Sequence, residues 1–138
     1  MMNKKLIIFG AILLCATLFV AVKLVFFGSS GPDRAVLKFA KDMNKTCPTM
    51  VDVETRLDKV TAQSDNSLHF DYTLVNHVKD SLPVENLKKY MDPVILNKIK
   101  TSPVLSKFLD KKLTWFYSYN DRKGEFIFML SYTPEQLR

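Results

Sequence analysis

Apolar positions along this chain follow three rhythms, and each marks a different kind of element. The first is a continuous run. Lys4-Lys5 is followed by 17 uncharged residues from Leu6 to Val22, and Lys23 then precedes Leu24-Val25-Phe26-Phe27. A helix rises about 1.5 Å per residue, so roughly 20 apolar residues cross a bilayer core. Extended to Phe27 the run has 22 residues. That is enough to span with some tilt, with the Lys23 stem reaching the headgroups.

The second rhythm has a helical period. Pro32 suits the first position of a helix, and Asp33 near its start suits the helix dipole. Asp33 to Asn44 then sets Val36, Leu37, Ala40 and Met43 on one face, and Cys47-Pro48 ends the segment. The period returns over residues 81–110. Leu82, Leu87, Tyr90 and Met91 form an apolar face. Asp92-Pro93 reads as a break and restart before Val94, Ile95 and Ile99. Ser102-Pro103 repeats the device before Val104, Leu105, Phe108 and Leu109. Two or three short helices are predicted there.

The third rhythm alternates. Thr55 to Gln63 reads as a strand, Ser64-Asp65-Asn66-Ser67 as a turn, and Leu68 to Val75 as the clearest strand of the chain. Leu68, Phe70, Tyr72 and Leu74 face one way; His69, Asp71 and Thr73 face the other. A second hairpin is predicted from Leu113–Asn120 and Glu125–Tyr132 around Asp121-Arg122-Lys123-Gly124, with Gly124 supplying positive φ. A four-residue loop pairs Tyr119 with Phe126, Tyr117 with Phe128, Trp115 with Leu130 and Leu113 with Tyr132. All eight then share one face; a five-residue loop would scatter them. The reading is an α+β chain: an N-terminal transmembrane helix (1–28), a linker (29–32), and a domain (33–138) of order helix–hairpin–helices–hairpin around a four-stranded antiparallel sheet.

Charge orients the apolar run. Lys4 and Lys5 hold the N-terminus in the cytoplasm by the positive-inside rule, which places the domain in the bacterial periplasm as a single-pass inner-membrane protein. The alternative is secretion to the periplasm after signal cleavage, since an n-region of two lysines fits both. No Ala-x-Ala site follows the run, and Gly28-Ser29-Ser30 is a weak substitute, which favours the anchor. Cys15 makes a poor lipoprotein acceptor because it follows Leu13-Leu14 mid-span.

Composition narrows the chemistry. Three of the 20 basic residues, Lys4, Lys5 and Lys23, lie in the anchor, which leaves the domain an excess of only 3 over its 14 acidic residues. Nucleic-acid binding needs a stronger and more clustered excess. Inner-membrane lipid remains a partner. With Cys15 in the anchor, Cys47 is alone in the domain. It packs as a small hydrophobe or forms an intermolecular disulfide. His69 and His77 lie at opposite ends of one strand, about 26 Å apart, too far to share a metal. Ser67, His69 and Asp71 resemble a triad to the eye, but strand neighbours on one face are about 7 Å apart. Glycines number four, too few for a phosphate-cradling loop. No cofactor is expected. Asn44-Lys45-Thr46 is a glycosylation sequon that matters only in a eukaryotic secretory pathway.

The candidate contact residues are therefore non-catalytic. Lys107, Lys111 and Lys112 close a lysine series that starts at Lys88 and suits acidic partners or headgroups. Arg56 and Asp58 face the same way on a strand and can pair. Trp115, Tyr117 and Tyr119 form an aromatic row that is core if helices cover it and an interaction patch if they do not.

One segment carries a resemblance: Cys47-Pro48-Thr49-Met50-Val51-Asp52-Val53-Glu54-Thr55-Arg56-Leu57-Asp58. Together with His69-Phe70-Asp71-Tyr72-Thr73-Leu74 and Tyr117-Ser118-Tyr119-Asn120-Asp121, it resembles small bacterial envelope proteins of unassigned function, over about residues 39–132. Many of those carry a cysteine before the last hairpin and another at the C-terminus. This chain has Thr101-Ser102-Pro103 and Pro134-Glu135-Gln136 there, so such a staple is missing. The resemblance implies location and fold and supplies no catalytic residue.

The resulting expectation is a non-enzymatic, membrane-anchored periplasmic domain that binds another envelope protein, as an accessory of an envelope or secretion complex. The alternatives are an immunity-type inhibitor of a periplasmic toxin and a hydrolase with an unrecognised site.

Overall fold

Alternation along the clearest strand is realised on its apolar face, while Thr73 on the other face is buried as well. In the structure, a computed structural model that describes residues 31–138, Leu68, Phe70, Tyr72 and Leu74 are all buried, and His69 and Asp71 lie half-buried on the other face. The apolar run and the Gly28–Ser30 joint lie outside the described residues. Among the described residues, no helix is long and apolar enough to cross a membrane.

The elements are α1 (Arg34–Asn44), β1 (Thr49–Met50), β2 (Thr55–Gln63), β3 (Ser67–Leu74), α2 (Val84–Thr101), β4 (Thr114–Asp121) and β5 (Phe126–Tyr132). Short 3₁₀ segments at Lys79–Ser81 and Ser106–Lys111 flank α2. Asp33 is the N-cap of α1, accepting from the Ala35 and Val36 N–H groups, so Pro32 lies outside the helix rather than at its first position. Phe39 joins Val36 and Ala40 on the buried face.

The sheet has five strands in the order β1-β2-β3-β4-β5, and it is mixed. This corrects the four-stranded antiparallel expectation in two ways. First, Thr49–Met50 adds a strand at the edge, pairing with Leu57 and Arg56. Asp52 closes that hairpin by accepting from the Glu54 and Thr55 N–H groups, both at 2.8 Å. Beyond the end of β1, the Asn44 side chain completes the edge: it donates to the Val60 carbonyl at 2.7 Å and accepts from its N–H at 2.8 Å. Second, β3 and β4 run parallel, from Ser67 opposite Thr114 to Leu74 opposite Asp121. The long connection through α2 returns the chain to the end where β3 began, which a hairpin cannot do.

Pro93 sits inside α2, which continues through it as one helix instead of breaking into two. Proline removes the bond to the carbonyl four residues back, here Lys89. Both residues lie on the exposed side of the helix, where a lost backbone bond costs least. Leu87, Met91, Ile95 and Ile99 recur every fourth residue toward the core, and Tyr90 and Val94, expected on that face, are exposed.

The C-terminal hairpin adopts a different register. Tyr119 opposes Phe128, Tyr117 opposes Leu130 and Trp115 opposes Tyr132, with a bulge that leaves Ile127 as the extra residue. Its cause is Asp121. That carboxylate is fully buried and gathers the Lys79, Lys123 and Glu125 N–H groups at 2.8–3.0 Å. These bonds, the Lys79 one foremost, hold its pKa below the usual carboxylate range. The bulge throws Phe126 to the surface, so the shared face holds Phe128, Leu130 and Tyr132 without it.

Candidate functional site

The two long helices do not share one seat. α1 lies over β2 and α2 over β5, so the middle strands carry the floor of a gap between them. That floor is aromatic. Phe70 stacks on Tyr117 with ring centres 4.9 Å apart, and Tyr72 on Tyr119 at 5.1 Å, across the parallel β3–β4 pair. The walls follow from helical spacing. Ala35, Phe39 and Met43 project from α1 at intervals of four, and Val104 and Phe108 face them from the segment after α2.

The gap holds two depressions with Phe39, Met43 and Val104 as a common wall. The outer one has a volume of about 710 Å³ and a charged rim of Lys38, Asp42, Lys107 and Lys111. The inner one, about 250 Å³, reaches Leu57, Phe70, Tyr72 and Tyr117, with Val51, Lys98 and Ser102 around it. Volumes of this order match small-ligand and side-chain pockets.

The rim is basic with an internal brace. Asp42 accepts from Lys38 and Lys45, each at 2.6 Å, and these lysines, Lys38 foremost, pull its pKa down to about 2. Lys111 reaches Asp33 at 3.1 Å and lowers that carboxyl's pKa. Lys107 makes no ion pair among the described residues; its ammonium lies 5.3 Å from the centre of the Phe108 ring.

The sequence-predicted residues scatter. Trp115, Tyr117 and Tyr119 are 0–4% exposed, so the aromatic row is core and not an open contact patch. Burial pushes the Tyr117 and Tyr119 hydroxyls far above the ordinary tyrosine range, and they stay protonated. Among the described residues the Tyr117 hydroxyl nonetheless has no hydrogen-bond partner, nor does the Trp115 indole N–H. Lys107 and Lys111 reach the cleft rim; Lys112 does not. It holds a left-handed turn (φ 53°), where Asn66 donates to the Lys111 and Lys112 carbonyls. Arg56 pairs with Asp58, which also accepts from the Thr73 hydroxyl, on the sheet face away from the aromatic floor. Cys47 is a half-buried free thiol, and burial, aided by the Asp58 charge, raises its pKa.

Ser67 and His69 do touch, at 2.9 Å, closer than the spacing of strand neighbours alone implies. The contact carries no nucleophile. The Ser67 hydroxyl donates to Asp65, so His69 Nε2 must donate to Ser67 and cannot be its base. Ser67 is also buried, and His69 stacks on Phe116 at 4.4 Å. Among the described residues no cluster of three His, Cys, Asp or Glu side chains is placed to hold a metal.

Sequence reasoning missed the cleft walls. Their residues are individually ordinary apolar positions, and the gap arises from where the helices sit. The one local signal was Lys38-x-x-x-Asp42, a pair that marks the solvent edge of α1.

The sequence profile of a family described as Domain of unknown function (DUF8479) matches residues 30–128. No functionally curated protein matches the chain. Three solved structures share the fold. A candidate secreted protein from Pseudomonas aeruginosa is 15% identical, with a TM-score of 0.61 covering 81% of this chain and 95% of that one. The type 2 secretion system pilotin EpsS from Vibrio vulnificus is 12% identical, with a TM-score of 0.60 over 75% and 89%. The type II secretion system pilotin AspS from Vibrio cholerae is 11% identical, with a TM-score of 0.56 over 74% and 88%.

Proposed function

We propose that this chain, which belongs to the DUF8479 family, is a non-enzymatic protein-binding domain of the bacterial envelope that serves as an accessory of a secretion complex. The observation that carries this reading is the cleft. It is apolar along its length, lined by α1 on one side and by the segment after α2 on the other, with lysines at its rim. Grooves with apolar floors and charged edges receive an amphipathic segment of a partner. The rim charge favours a partner with acidic flanks. Two of the three solved structures with this fold are described as pilotins of secretion systems, which supports the setting. The apolar run Leu6–Val22 supports placement at a membrane.

A photo-crosslinker at Lys107, on the rim, and another at Met129, on the exposed far face of the sheet, test the reading in the full chain in cells. Crosslinking to one envelope protein from position 107 only, abolished by Val104→Arg, is the expected result. Equal products from both positions, or none from 107, overturn it.

A further inference from the structure

A third depression, of about 500 Å³, lies further along α2 toward its N-terminal end, where Leu87, Tyr90 and Met91 line it. Its opposite wall is the turn between β1 and β2, Asp52-Val53-Glu54. The same two parts of the fold border the inner depression, through Lys98 of α2 and Val51 just after β1. Tyr90, Val94 and Lys98 follow one another at intervals of four, so one stripe of α2 runs from the third depression to the inner one. Asp52 also links the two. The Glu54 N–H holds its carboxyl below the usual carboxylate range, and the Lys98 charge on α2 adds to that effect.

Apolar exposure concentrates along this stripe and the turn facing it. Val53 is 88% exposed, Tyr90 72% and Val94 52%, and Val51 and Val104 are about half exposed. Large apolar side chains bared together mark a contact surface. Charge changes sign from one end to the other. Lys107 and Lys111 stand at the outer depression, where Asp42 is already held by Lys38 and Lys45. The third depression carries Asp52 and Glu54, and its lining includes no lysine or arginine; Glu54 meets the His77 ring at 3.4 Å.

We infer that the three depressions form one track, and that its occupant is a single amphipathic helix of the partner. That helix is acidic at the end that meets Lys107 and basic at the end that meets Asp52 and Glu54. This rests on the docking role proposed above and gives the partner's segment a length and a polarity. α2 rises about 17 Å between Tyr90 and Thr101, so the segment needs at least about 11 residues, three helical turns. The α2 wall presents side chains and no free backbone. An extended segment would leave N–H and C=O groups unpaired along it, whereas a helix pairs its own. A uniformly acidic segment would meet Asp52 and Glu54 with like charge.

Photo-crosslinkers at Tyr90 and at Lys107, in the full chain in cells, test the track. The expected result is that both positions react with the same protein, at sites about 10–18 residues apart in one stretch. Lys or Arg flanks the site reached from position 90, and Asp or Glu the site reached from position 107. Glu54→Lys then cuts the product from 90 about 3–10-fold and spares the product from 107. Replacing the partner's basic residue by Glu restores it. A different protein captured from 90, an acidic or uncharged stretch there, or a yield that Glu54→Lys leaves unchanged or lowers equally at both positions overturns the inference. No product from 90, while 107 still reacts and depends on Val104, also overturns it; the docking role then stands and the track ends at the inner depression. No product from 107 removes the docking role and the inference with it.

Discussion

Tyr132 and Tyr117 sit on neighbouring strands with ring centres 6.1 Å apart, and their hydroxyls have opposite fates. Tyr132, under α2, donates to the Asp92 carbonyl at 3.1 Å. Tyr117, under the gap between α1 and α2, donates to nothing. Both hydroxyls are pushed well above the ordinary tyrosine pKa by burial, so both are permanent donors. The α2–β5 side of the domain is finished on its own terms. The cleft side is packed at its floor and unsatisfied at its top. That contrast separates what holds the fold together from what is left for a partner, and four tests sharpen it.

The largest effect belongs to the closed core. Trp115 is fully buried and faces Tyr132 across β4–β5. Trp115→Ala should cost about 3–5 kcal/mol in chemical unfolding. Val104→Ala, on the cleft wall and half exposed, should cost less than about 0.5 kcal/mol. Comparable losses at the two positions would mean that the cleft wall is structural core.

Asn44 comes next. Among the described residues it bridges α1 to the open edge of β2 beyond β1, through both polar groups of Val60. Asn44→Ala should cost about 1–3 kcal/mol, because the paired groups are partly buried and lose their partner. Hydrogen exchange should speed up at Val60 before it does in β4. Uniform acceleration would show that α1 and the sheet open as one unit.

The tyrosine pair tests the contrast directly. Tyr132→Phe should lose about 0.5–1.5 kcal/mol, one hydrogen bond. Tyr117→Phe should lose nothing and gain up to about 1 kcal/mol, since it removes a buried hydroxyl that has no bond to lose. Equal losses would place a hidden partner on Tyr117.

Much of this fold was legible in the sequence, for reasons that these residues make plain. Alternation at Leu68–Leu74 reports burial of one sheet face directly, and it held at each apolar position, with Thr73 on the other face buried in addition. The register of the last hairpin was not legible, because it depends on Asp121 reaching Lys79, 42 positions away, and no local pattern encodes that bond. Parallel pairing of β3 with β4 was hidden for the same reason: it is decided by where α2 takes the chain. Pro93 misled because the rule for proline is local, and its place on the exposed side of α2 makes the exception cheap. The cleft is the extreme case. Each of Phe39, Met43 and Val104 reads as an ordinary apolar residue, and only the failure of two helices to meet makes them a site. Lys107 and Lys111 were found because a lysine series is visible in sequence; their place on the rim was not.

The smallest expected effect separates the two helices. α1 is braced at both ends by carboxylates: Asp33 caps it and meets Lys111, and Asp42 holds Lys38 and Lys45. α2 has no side-chain cap at its start, where Pro83 stands. The folded pKa of Asp42 lies at about 2, below its unfolded value near 4. A depressed carboxylate stabilises the folded state above the unfolded pKa, and the contribution disappears as pH falls from about 4 to about 2. The group is exposed, so salt screens it. Acidification over that window should therefore loosen α1 before α2, as read by hydrogen exchange, and 1 M salt or Asp42→Asn should erase the difference. Acid loosening of α2 first, or loosening of α1 that Asp42→Asn leaves unchanged, would show that the brace at Asp42 contributes nothing and that the Asp33 cap, Phe39 and Asn44 hold α1.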